Sequence, residues 1–126
     1  QAVKVTFVPH LVPMTRGILT TTYSTFKIGK ISRGKKKRNE LLNLYSDYYK
    51  EMPFVRVVDF SPHTKYTLGS NICLIHPTTD PGGDKLIVFS CLDNLVKGAA
   101  GQAVQNMNLM LGFPETMGLE APAIFP

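Results

Sequence analysis

Two apolar runs, joined by a segment with the composition of a tight turn, constrain the fold of this chain most. The runs cover residues 71–76 and 85–92, and their apolar side chains are not confined to alternate positions, so both faces of each run are apolar. The segment 80–84, Asp-Pro-Gly-Gly-Asp, lies between them. Gly and Asp tolerate the backbone angles that hairpin turns need. The sequence therefore predicts two buried antiparallel strands connected by a hairpin.

Hydrophobic periodicity predicts three more strands. Residues 3–8 alternate between apolar and polar, residues 18–28 are rich in Thr, and residues 54–58 form a short β-prone run. Pro9 and Pro13 bracket an irregular segment after the first of these strands, because Pro interrupts a strand ladder.

A helix is predicted between the second and third strands. Asn39 can cap its N-terminus, and Pro53 ends it. Its apolar side chains recur at helical spacing and form one stripe. The stripe consists of Leu41, Leu42, Tyr45, Tyr48, Tyr49 and Met52.

A second helix, over residues 98–112, carries amides where an exposed helix ordinarily carries charges. The amides are Gln102, Gln105, Asn106 and Asn108, beside an apolar face of Ala100, Ala103, Val104, Met107 and Met110 or Leu111. The amides predict a face that hydrogen-bonds an uncharged partner, and the small residues of 98–101 would let that partner approach closely. A small-residue helix buried against a sheet is the alternative.

The predicted order is strand, strand, helix, three strands, helix. It lacks the alternation of a doubly wound parallel sheet and indicates an α+β fold, with a mainly antiparallel sheet and helices over one face. The outward side chains of 71–75 and 86–92 are then expected to form a homo-oligomer interface. No Gly-x-Gly-x-x-Gly follows a predicted strand, so this chain is not expected to bind a dinucleotide on its own.

The length of 126 residues predicts a single domain over 1–126. No apolar run reaches the roughly 18 residues of a membrane span, and no signal-peptide pattern is present. The chain begins at Gln1 and enters a strand-like run at once. We interpret it as a fragment or a processed chain.

The net charge of +5 comes from one stretch. Residues 27–38 hold seven of the 14 basic side chains, and without those seven charges the formal net charge would be −2. This Gly-containing run has no aromatic side chains interleaved with its charges in residues 29–38. It predicts a solvated loop and argues against a nucleic-acid partner, with a basic binding module as the alternative.

The two cysteines, Cys73 and Cys91, lie inside apolar runs. Neither has Cys-x-x-Cys spacing or a His at metal-ligand spacing, so no metal site is predicted. We expect buried free thiols in a reducing cytoplasm, with a cross-strand disulfide as the alternative.

His10 and Arg16 are the candidate catalytic and binding residues. His10 stands between two prolines at a strand end, and Arg16 precedes Gly17 where the chain enters the next strand. An imidazole exchanges protons near neutral pH, and a guanidinium binds oxyanions. This pair is sufficient to position an acyl phosphate or a carboxylate, although spacing alone favours structural roles for both residues.

Four segments together resemble N-acetyl-gamma-glutamyl-phosphate reductases. The specific ones are Pro-His-Leu-Val-Pro-Met-x-Arg-Gly over 9–17 and Gly-Gln-Ala-Val-Gln-Asn-Met-Asn over 101–108. Weaker ones are 53–57 and 64–71, and they occur in the family's order. The resemblance runs from about residue 5 to residue 119 and implies a fold like the C-terminal domain of glyceraldehyde-3-phosphate dehydrogenase.

The resemblance also implies a reaction. In that family a cysteine attacks the acyl phosphate of N-acetylglutamyl 5-phosphate and forms a thioester, which NADPH reduces to the semialdehyde of the arginine pathway. The nucleotide-binding domain and this cysteine would lie upstream of Gln1, so the fragment alone is expected to be inactive. Another semialdehyde dehydrogenase of the same architecture, such as aspartate-semialdehyde dehydrogenase, is the alternative.

Residue roles follow from the matched motifs. His10 matches the family's general base and acid, and Arg16 matches a substrate-binding arginine. Gln102 and Asn106 share a helix face that would contact NADPH or the domain interface. Three further matched residues, Lys65, Ser70 and Asn71, are assigned no mechanism.

Overall fold

The computed structural model describes residues 3–26 and 35–124. Most of the basic run, residues 27–34, lies outside this range. Four strands and two α-helices are present: β1 (Ile18–Thr25), α1 (Lys35–Tyr49), β2 (Val55–Val57), β3 (Cys73–Thr79), β4 (Lys85–Leu92) and α2 (Gly101–Leu111). A 3-10 turn over Thr64–Thr67 precedes β3, and a π-helical turn over Val96–Ala100 leads directly into α2.

The four strands form one sheet in the order β1-β4-β3-β2. β4 pairs antiparallel with both β1 and β3, and the short β2 pairs parallel with β3. The hairpin between β3 and β4 is confirmed. An Asp80 carboxylate oxygen accepts the Lys85 N–H at 2.7 Å, and Gly83 adopts a φ of 75°, a left-handed conformation that glycine tolerates. The predicted α+β class with a mainly antiparallel sheet is therefore correct.

The core lies between α1 and the strands β2 and β3, against which α1 packs. Leu41 of α1, Phe54 before β2 and Ile75 of β3 are all buried. On β3, residues 74–77 are buried without a break, so this strand is covered on both faces within the chain. The expectation that the outward side chains of 71–75 form an interface therefore needs correction, and the strand that is exposed at every position is β1.

The two faces of β3 have different covers. Leu74 pairs with Cys91 across the ladder, and the Cys91 sulfur lies 3.6 Å from the Thr67 hydroxyl. The 3-10 turn thus covers the face opposite to α1. An α1 residue, Lys37, places its Nζ 3.8 Å from the ring centroid of Phe26. Phe26 directly follows β1, and continuing the alternation of that strand places it on the other face.

The strand predicted over residues 3–8 is wrong. The structure describes this segment without regular structure, and Val3, Val5 and Phe7 are each about 80% exposed. Alternation gives an extended segment one apolar face, but a strand also needs a neighbour to accept its backbone hydrogen bonds. No strand in the described ranges pairs with these residues.

The predicted N-terminus of α1 is also wrong. The helix begins at Lys35, so Asn39 lies within it and does not cap it. Lys and Arg are good helix formers, which allows the end of the basic run to join the helix instead of remaining a loop. Two residues of the predicted stripe, Tyr48 and Met52, are exposed at 74% and 48%.

Both cysteines are free thiols, as predicted. Cys73 pairs with Leu92 and Cys91 with Leu74, so the two side chains lie on opposite faces of the sheet and cannot form the alternative disulfide. The Cys91 thiol donates to the His63 carbonyl at 3.1 Å, and burial raises the pKa of both thiols.

No helix within the described residues is long and apolar enough to cross a membrane.

Candidate functional site

The corner at which the chain enters β1 holds the predicted arginine. Gly17 adopts a φ of 118°, and a Cβ at this position would lie 2.6 Å from the Thr64 Cβ, so only glycine fits. The Gly17 N–H donates to the Asn94 side-chain oxygen at 2.7 Å. The Arg16 side chain therefore projects from a backbone that is held in place at the next residue, Gly17.

Asp93 is the partner of Arg16, and the sequence did not reveal it. The Arg16 Nε lies 2.7 Å from the Asp93 Oδ2, and the aspartate side chain is fully buried while the arginine is 28% exposed. Oδ2 also accepts the Gly69 N–H at 2.6 Å. The other oxygen accepts the N–H groups of Leu95 at 2.8 Å and Val96 at 3.0 Å.

The charge state of Asp93 follows from these contacts. Burial alone would raise its pKa, but the Arg16 guanidinium and the three backbone N–H groups together hold the pKa below the usual value. The carboxylate is therefore ionised at neutral pH. It forms a fixed anion beneath the arginine, and an aspartate directly after an apolar strand and before a helical segment was the signal in the sequence.

The far end of the Arg16 guanidinium is the part of the site with the chemistry to bind an anion. Nε makes the close ion-pair contact with Asp93, although its N–H is not aligned for a hydrogen bond, and no hydrogen bond joins the two Nη atoms to any residue that the structure describes. These atoms carry N–H donors in a planar fork that matches a carboxylate or a phosphate group. The site can thus hold one oxyanion at the entrance to β1.

The ring of His10 is exposed on the irregular segment before this corner. Its Nδ1 lies 3.1 Å from the Val8 carbonyl oxygen. Because a carbonyl only accepts, Nδ1 carries the proton of the neutral ring, and Nε2 is left with a lone pair. No hydrogen bond joins His10 to Arg16 among the described residues.

Helix α2 is inverted relative to an ordinary amphipathic helix. Its buried positions are Gly101, Gln105 and Asn108, whereas Met107, Met110 and Leu111 are 47%, 84% and 62% exposed. The side of α2 that carries Gln105 and Asn108 faces the rest of the chain, and the predicted apolar face points outward. The apolar face is the part of α2 left without cover.

Two of the predicted amides serve the fold. Gln105 Oε1 accepts from the Asn71 side chain at 3.0 Å and from the Lys97 Nζ at 2.6 Å. Its Nε2 donates to a Glu115 carboxylate oxygen at 2.6 Å. Asn108 Nδ2 donates to the Met117 carbonyl at 2.9 Å. Burial lowers the pKa of Lys97, and electrostatic attraction to Cys73 and Glu115 partly offsets this decrease.

The matched residues around 70 are structural in this arrangement. Asn71 is 1% exposed and joins β3 to α2 through Gln105. The Ser70 hydroxyl donates to the Thr67 carbonyl at 2.9 Å. Lys65 lies exposed in the 3-10 turn. None of the three contacts Arg16 or His10 through a hydrogen bond.

The predicted cofactor residues lie on the outer side of α2. Gln102 Nε2 donates to the Asn106 side-chain oxygen at 3.0 Å. This bond does not use the amide oxygen of Gln102 or the amide nitrogen of Asn106, so these two atoms can bond to other partners. Within the described ranges, no group of three His, Cys, Asp or Glu side chains could hold a metal ion.

Comparisons with known proteins agree on one type of domain. A family model described as "Semialdehyde dehydrogenase, dimerisation domain" matches residues 1–94. An N-acetyl-gamma-glutamyl-phosphate reductase of Dehalococcoides mccartyi is 54% identical over 98% of this chain and 34% of its own length. The reductases of Geobacter metallireducens and Heliobacterium modesticaldum are 51% and 46% identical over 98% and 100% of the chain, each over 35% of its own length. The chain spans about a third of the curated relatives that it matches.

The amide network gives a testable prediction at Gly101. Alanine within a helix is ordinarily favoured over glycine by roughly 0.5–1 kcal/mol. At Gly101, however, a Cβ would lie 2.4 Å from the Asn71 side-chain oxygen and 2.8 Å from the Val96 carbonyl. We expect Gly101→Ala to lower the free energy of unfolding by about 1–3 kcal/mol, as overpacking does.

The matched control for this prediction is Gly98→Ala. At Gly98 the nearest atom to an added Cβ would be the Leu92 Cδ1 at 3.4 Å, an ordinary contact. Thermal unfolding followed by circular dichroism should show a lower midpoint for Gly101→Ala and an unchanged or higher midpoint for Gly98→Ala. Equal midpoints for the two variants would contradict the close packing of α2 on Asn71.

Proposed function

Because the chain belongs to the semialdehyde dehydrogenase dimerisation-domain family, we propose that it forms the substrate-binding and oligomerisation part of an N-acetyl-gamma-glutamyl-phosphate reductase. The reaction converts N-acetylglutamyl 5-phosphate into N-acetylglutamate 5-semialdehyde and phosphate. The observation that carries the proposal is the identity of 46–54% to reductases of this name over 98–100% of the chain. The open arginine fork over a buried carboxylate supports it independently.

The proposed division of labour assigns two functions to parts of the protein outside this chain. A cysteine there forms the acyl thioester, and a nucleotide-binding domain holds most of the cofactor. NADPH, when bound, supplies the hydride. Residues 1–126 are left with binding the substrate, moving protons and joining subunits.

Arg16 binds an anionic group of the substrate in this proposal. Both the 5-phosphate and the carboxylate of N-acetylglutamyl phosphate are oxyanions that a guanidinium fork can hold by two parallel hydrogen bonds. The fork is fixed before substrate arrives, because Asp93 holds Nε and Asn94 holds the neighbouring backbone. A fixed fork loses little conformational entropy on binding.

His10 transfers protons in this proposal. The Val8 carbonyl leaves Nε2 as the free nitrogen of the neutral ring. That nitrogen can take the proton of an attacking thiol and return it to the sulfur when the thiolate is expelled from the hemithioacetal and the aldehyde C=O forms. The exposed position of His10 on an irregular segment allows the ring to meet a cysteine supplied by another domain.

Gln102 and Asn106 are chemically suited to a carboxamide. The hydrogen bond between them leaves one acceptor and one donor, which complement the N–H and C=O of a primary amide such as the nicotinamide group. They would contact the cofactor from the outward side of α2. The adjoining exposed side chains of Met107 and Met110 would then pack against the nucleotide-binding domain.

The association of subunits is proposed to use the sheet face opposite to α1. Tyr23 and its ladder partner Ile87 lie on this face. Tyr23 is three positions before Phe26, which faces α1, and side chains alternate along a strand, so the two point to opposite faces. Tyr23 is 66% exposed in the single chain, and Leu19 on the same face is 52% exposed. The family description as a dimerisation domain supports a homo-oligomer. The proposed interface therefore lies on β1 and the adjoining part of β4, and it leaves out the predicted 71–75, because β3 is covered within the chain.

The two alternative functions are less well supported. A sister semialdehyde dehydrogenase would show activity on aspartyl phosphate in place of N-acetylglutamyl phosphate. A basic nucleic-acid module would need free charges, but Lys37 is buried against the Gly83 carbonyl and the Phe26 ring. Arg38 donates to the Asp59 carbonyl. These two charges already have partners within the chain.

The catalytic role of His10 is tested by His10→Asn in the complete reductase that contains these residues. The asparagine amide can still donate to the Val8 carbonyl, but it cannot exchange protons. We expect kcat to fall by about 10²–10⁴-fold, as on loss of a general acid and base. Steady-state kinetics with N-acetylglutamyl phosphate measure this, with circular dichroism as the control for folding. Turnover near that of the wild type would exclude His10 from the mechanism.

The role of Arg16 is tested by Arg16→Lys, which keeps the charge and removes the fork. Hydrogen bonds to charged groups contribute about 1.5–3 kcal/mol. We therefore expect the KM for N-acetylglutamyl phosphate to rise about 10- to 100-fold, with the KM for NADPH unchanged. Unchanged substrate kinetics would return Arg16 to a purely structural role.

The sheet interface is tested by Tyr23→Glu. The side chain is exposed in the single chain, so the substitution should leave the fold intact and place a charge in the interface. We expect light scattering to give the mass of a monomer at micromolar concentration. Thr22→Glu is the matched control, since Thr22 is the exposed neighbour on the opposite face of β1 and this variant should remain oligomeric. The wild-type mass for both variants would contradict an interface on this face.

A further inference from the structure

We propose that Asp93 and Asn94 are positioning residues that aim the Arg16 fork at the anionic group of the substrate. The inference rests on the proposed role of Arg16 in substrate binding. It adds a function for two neighbouring residues at the end of β4 that do not themselves face the open end of the fork. The argument depends on the geometry of the carboxylate, the edge of the guanidinium that it occupies and the register of the sheet.

The Asp93 carboxylate is held by backbone donors in addition to Arg16. Its side chain is fully buried, and three backbone N–H groups, from Gly69, Leu95 and Val96, fix both of its oxygens at 2.6–3.0 Å. These donors belong to two separate segments of the chain. A buried carboxylate with this many donors has one orientation, and that orientation defines where a guanidinium can rest against it.

The contact uses the Nε edge of Arg16. With Nε at 2.7 Å from Oδ2, the charge of Asp93 holds the guanidinium on the side nearest its own stem, as a close ion pair without hydrogen-bond alignment. The Nη atoms are left at the far end, where a bidentate oxyanion would bind. An aspartate that paired with both Nη atoms would have blocked the site; this one orients the fork and leaves it available.

Asn94 fixes the backbone next to Arg16. Its side-chain oxygen accepts the N–H of Gly17 at 2.7 Å, directly after Arg16 in the chain. The ladder explains why neighbouring residues can hold both the side chain and the backbone. Ile18 pairs with Leu92, so the two residues before β1 and the two residues after β4 leave the sheet side by side.

The electrostatic effect and the positioning effect of Asp93 have opposite signs. Replacing the carboxylate with an amide removes a negative charge beside an anion site, which by charge alone would tighten the binding of an anionic substrate. Loss of orientation would weaken binding instead. The sign of the change in KM therefore separates the two explanations.

The test uses the complete reductase with N-acetylglutamyl phosphate as the varied substrate. For Asp93→Asn we expect the substrate KM to rise about tenfold, with the KM for NADPH unchanged, since one charged contact is worth about this factor. The double variant Arg16→Lys with Asp93→Asn should be no worse than Arg16→Lys alone, because both changes remove the same oriented fork. A lower or unchanged substrate KM for Asp93→Asn, or additive effects in the double variant, would overturn the inference.

Two further variants complete the experiment. Asp80→Asn is the matched control, because the Asp80 carboxylate also accepts a backbone N–H at 2.7 Å in a turn but pairs with no arginine among the described residues; its kinetics should match the wild type. Asn94→Ala keeps the buried carboxylate and removes only the bond to Gly17. It should raise the substrate KM about two- to fivefold, and it tests the inference if Asp93→Asn does not fold.

The outcomes also separate this inference from the proposed function. If Arg16→Lys leaves the substrate KM unchanged, the role of Arg16 itself is wrong. If Arg16→Lys raises the KM while Asp93→Asn and Asn94→Ala do not, the arginine binds substrate but needs neither residue to aim it. In that case only the inference drawn here fails.

Discussion

The buried carboxylate of Asp93 is the interaction on which the organisation of this domain depends. It contacts three segments that are far apart in the sequence: the corner at Arg16, the loop at Gly69 and the start of the helical segment at Leu95 and Val96. A buried charge is costly unless it is paired and hydrogen-bonded, so each of these partners is required for the others to be favourable. The sheet supplies the frame, and this carboxylate connects its edge to the loop and the helix.

The second constraint is the polar attachment of α2. Most helices in globular proteins bury an apolar stripe, yet α2 buries Gln105 and Asn108 and leaves Met107 and Met110 outside. A hydrogen-bonded attachment has direction, because each amide needs a donor and an acceptor at defined positions. The attachment therefore sets which side of α2 points outward, and a purely apolar contact would not specify this rotation as sharply.

Much of the sheet was predictable from local sequence. The hairpin was recognised because its turn residues and its two apolar runs are adjacent in the chain, and β4 has the predicted bounds. Residues 3–8 were wrongly predicted as a strand, because alternation describes only the side chains of a strand and gives no information about a partner strand. Asn39 failed as a cap because the basic residues before it also favour helix.

The candidate site was predictable in part. Motifs located His10 and Arg16, but the partner of Arg16 lies 77 residues downstream and no local pattern connects the two positions. Only the register of β1 with β4 brings them together. In the same way, the sequence indicated amides on α2, while only the structure shows that Gln105 and Asn108 are bonded inside the chain and that Gln102 and Asn106 are bonded to each other.

The shared carboxylate has a thermodynamic consequence for the domain. Oδ2 faces Arg16, and Oδ1 holds the first N–H groups of the π-helical turn that continues into α2. In the proposed function, an anion that draws the guanidinium away from Asp93 would alter the stability of that turn, and a rearrangement of the turn would alter the affinity of Arg16 for the anion by the same factor. Anion binding at Arg16 and the stability of the attachment of α2 would then be linked by one coupling free energy.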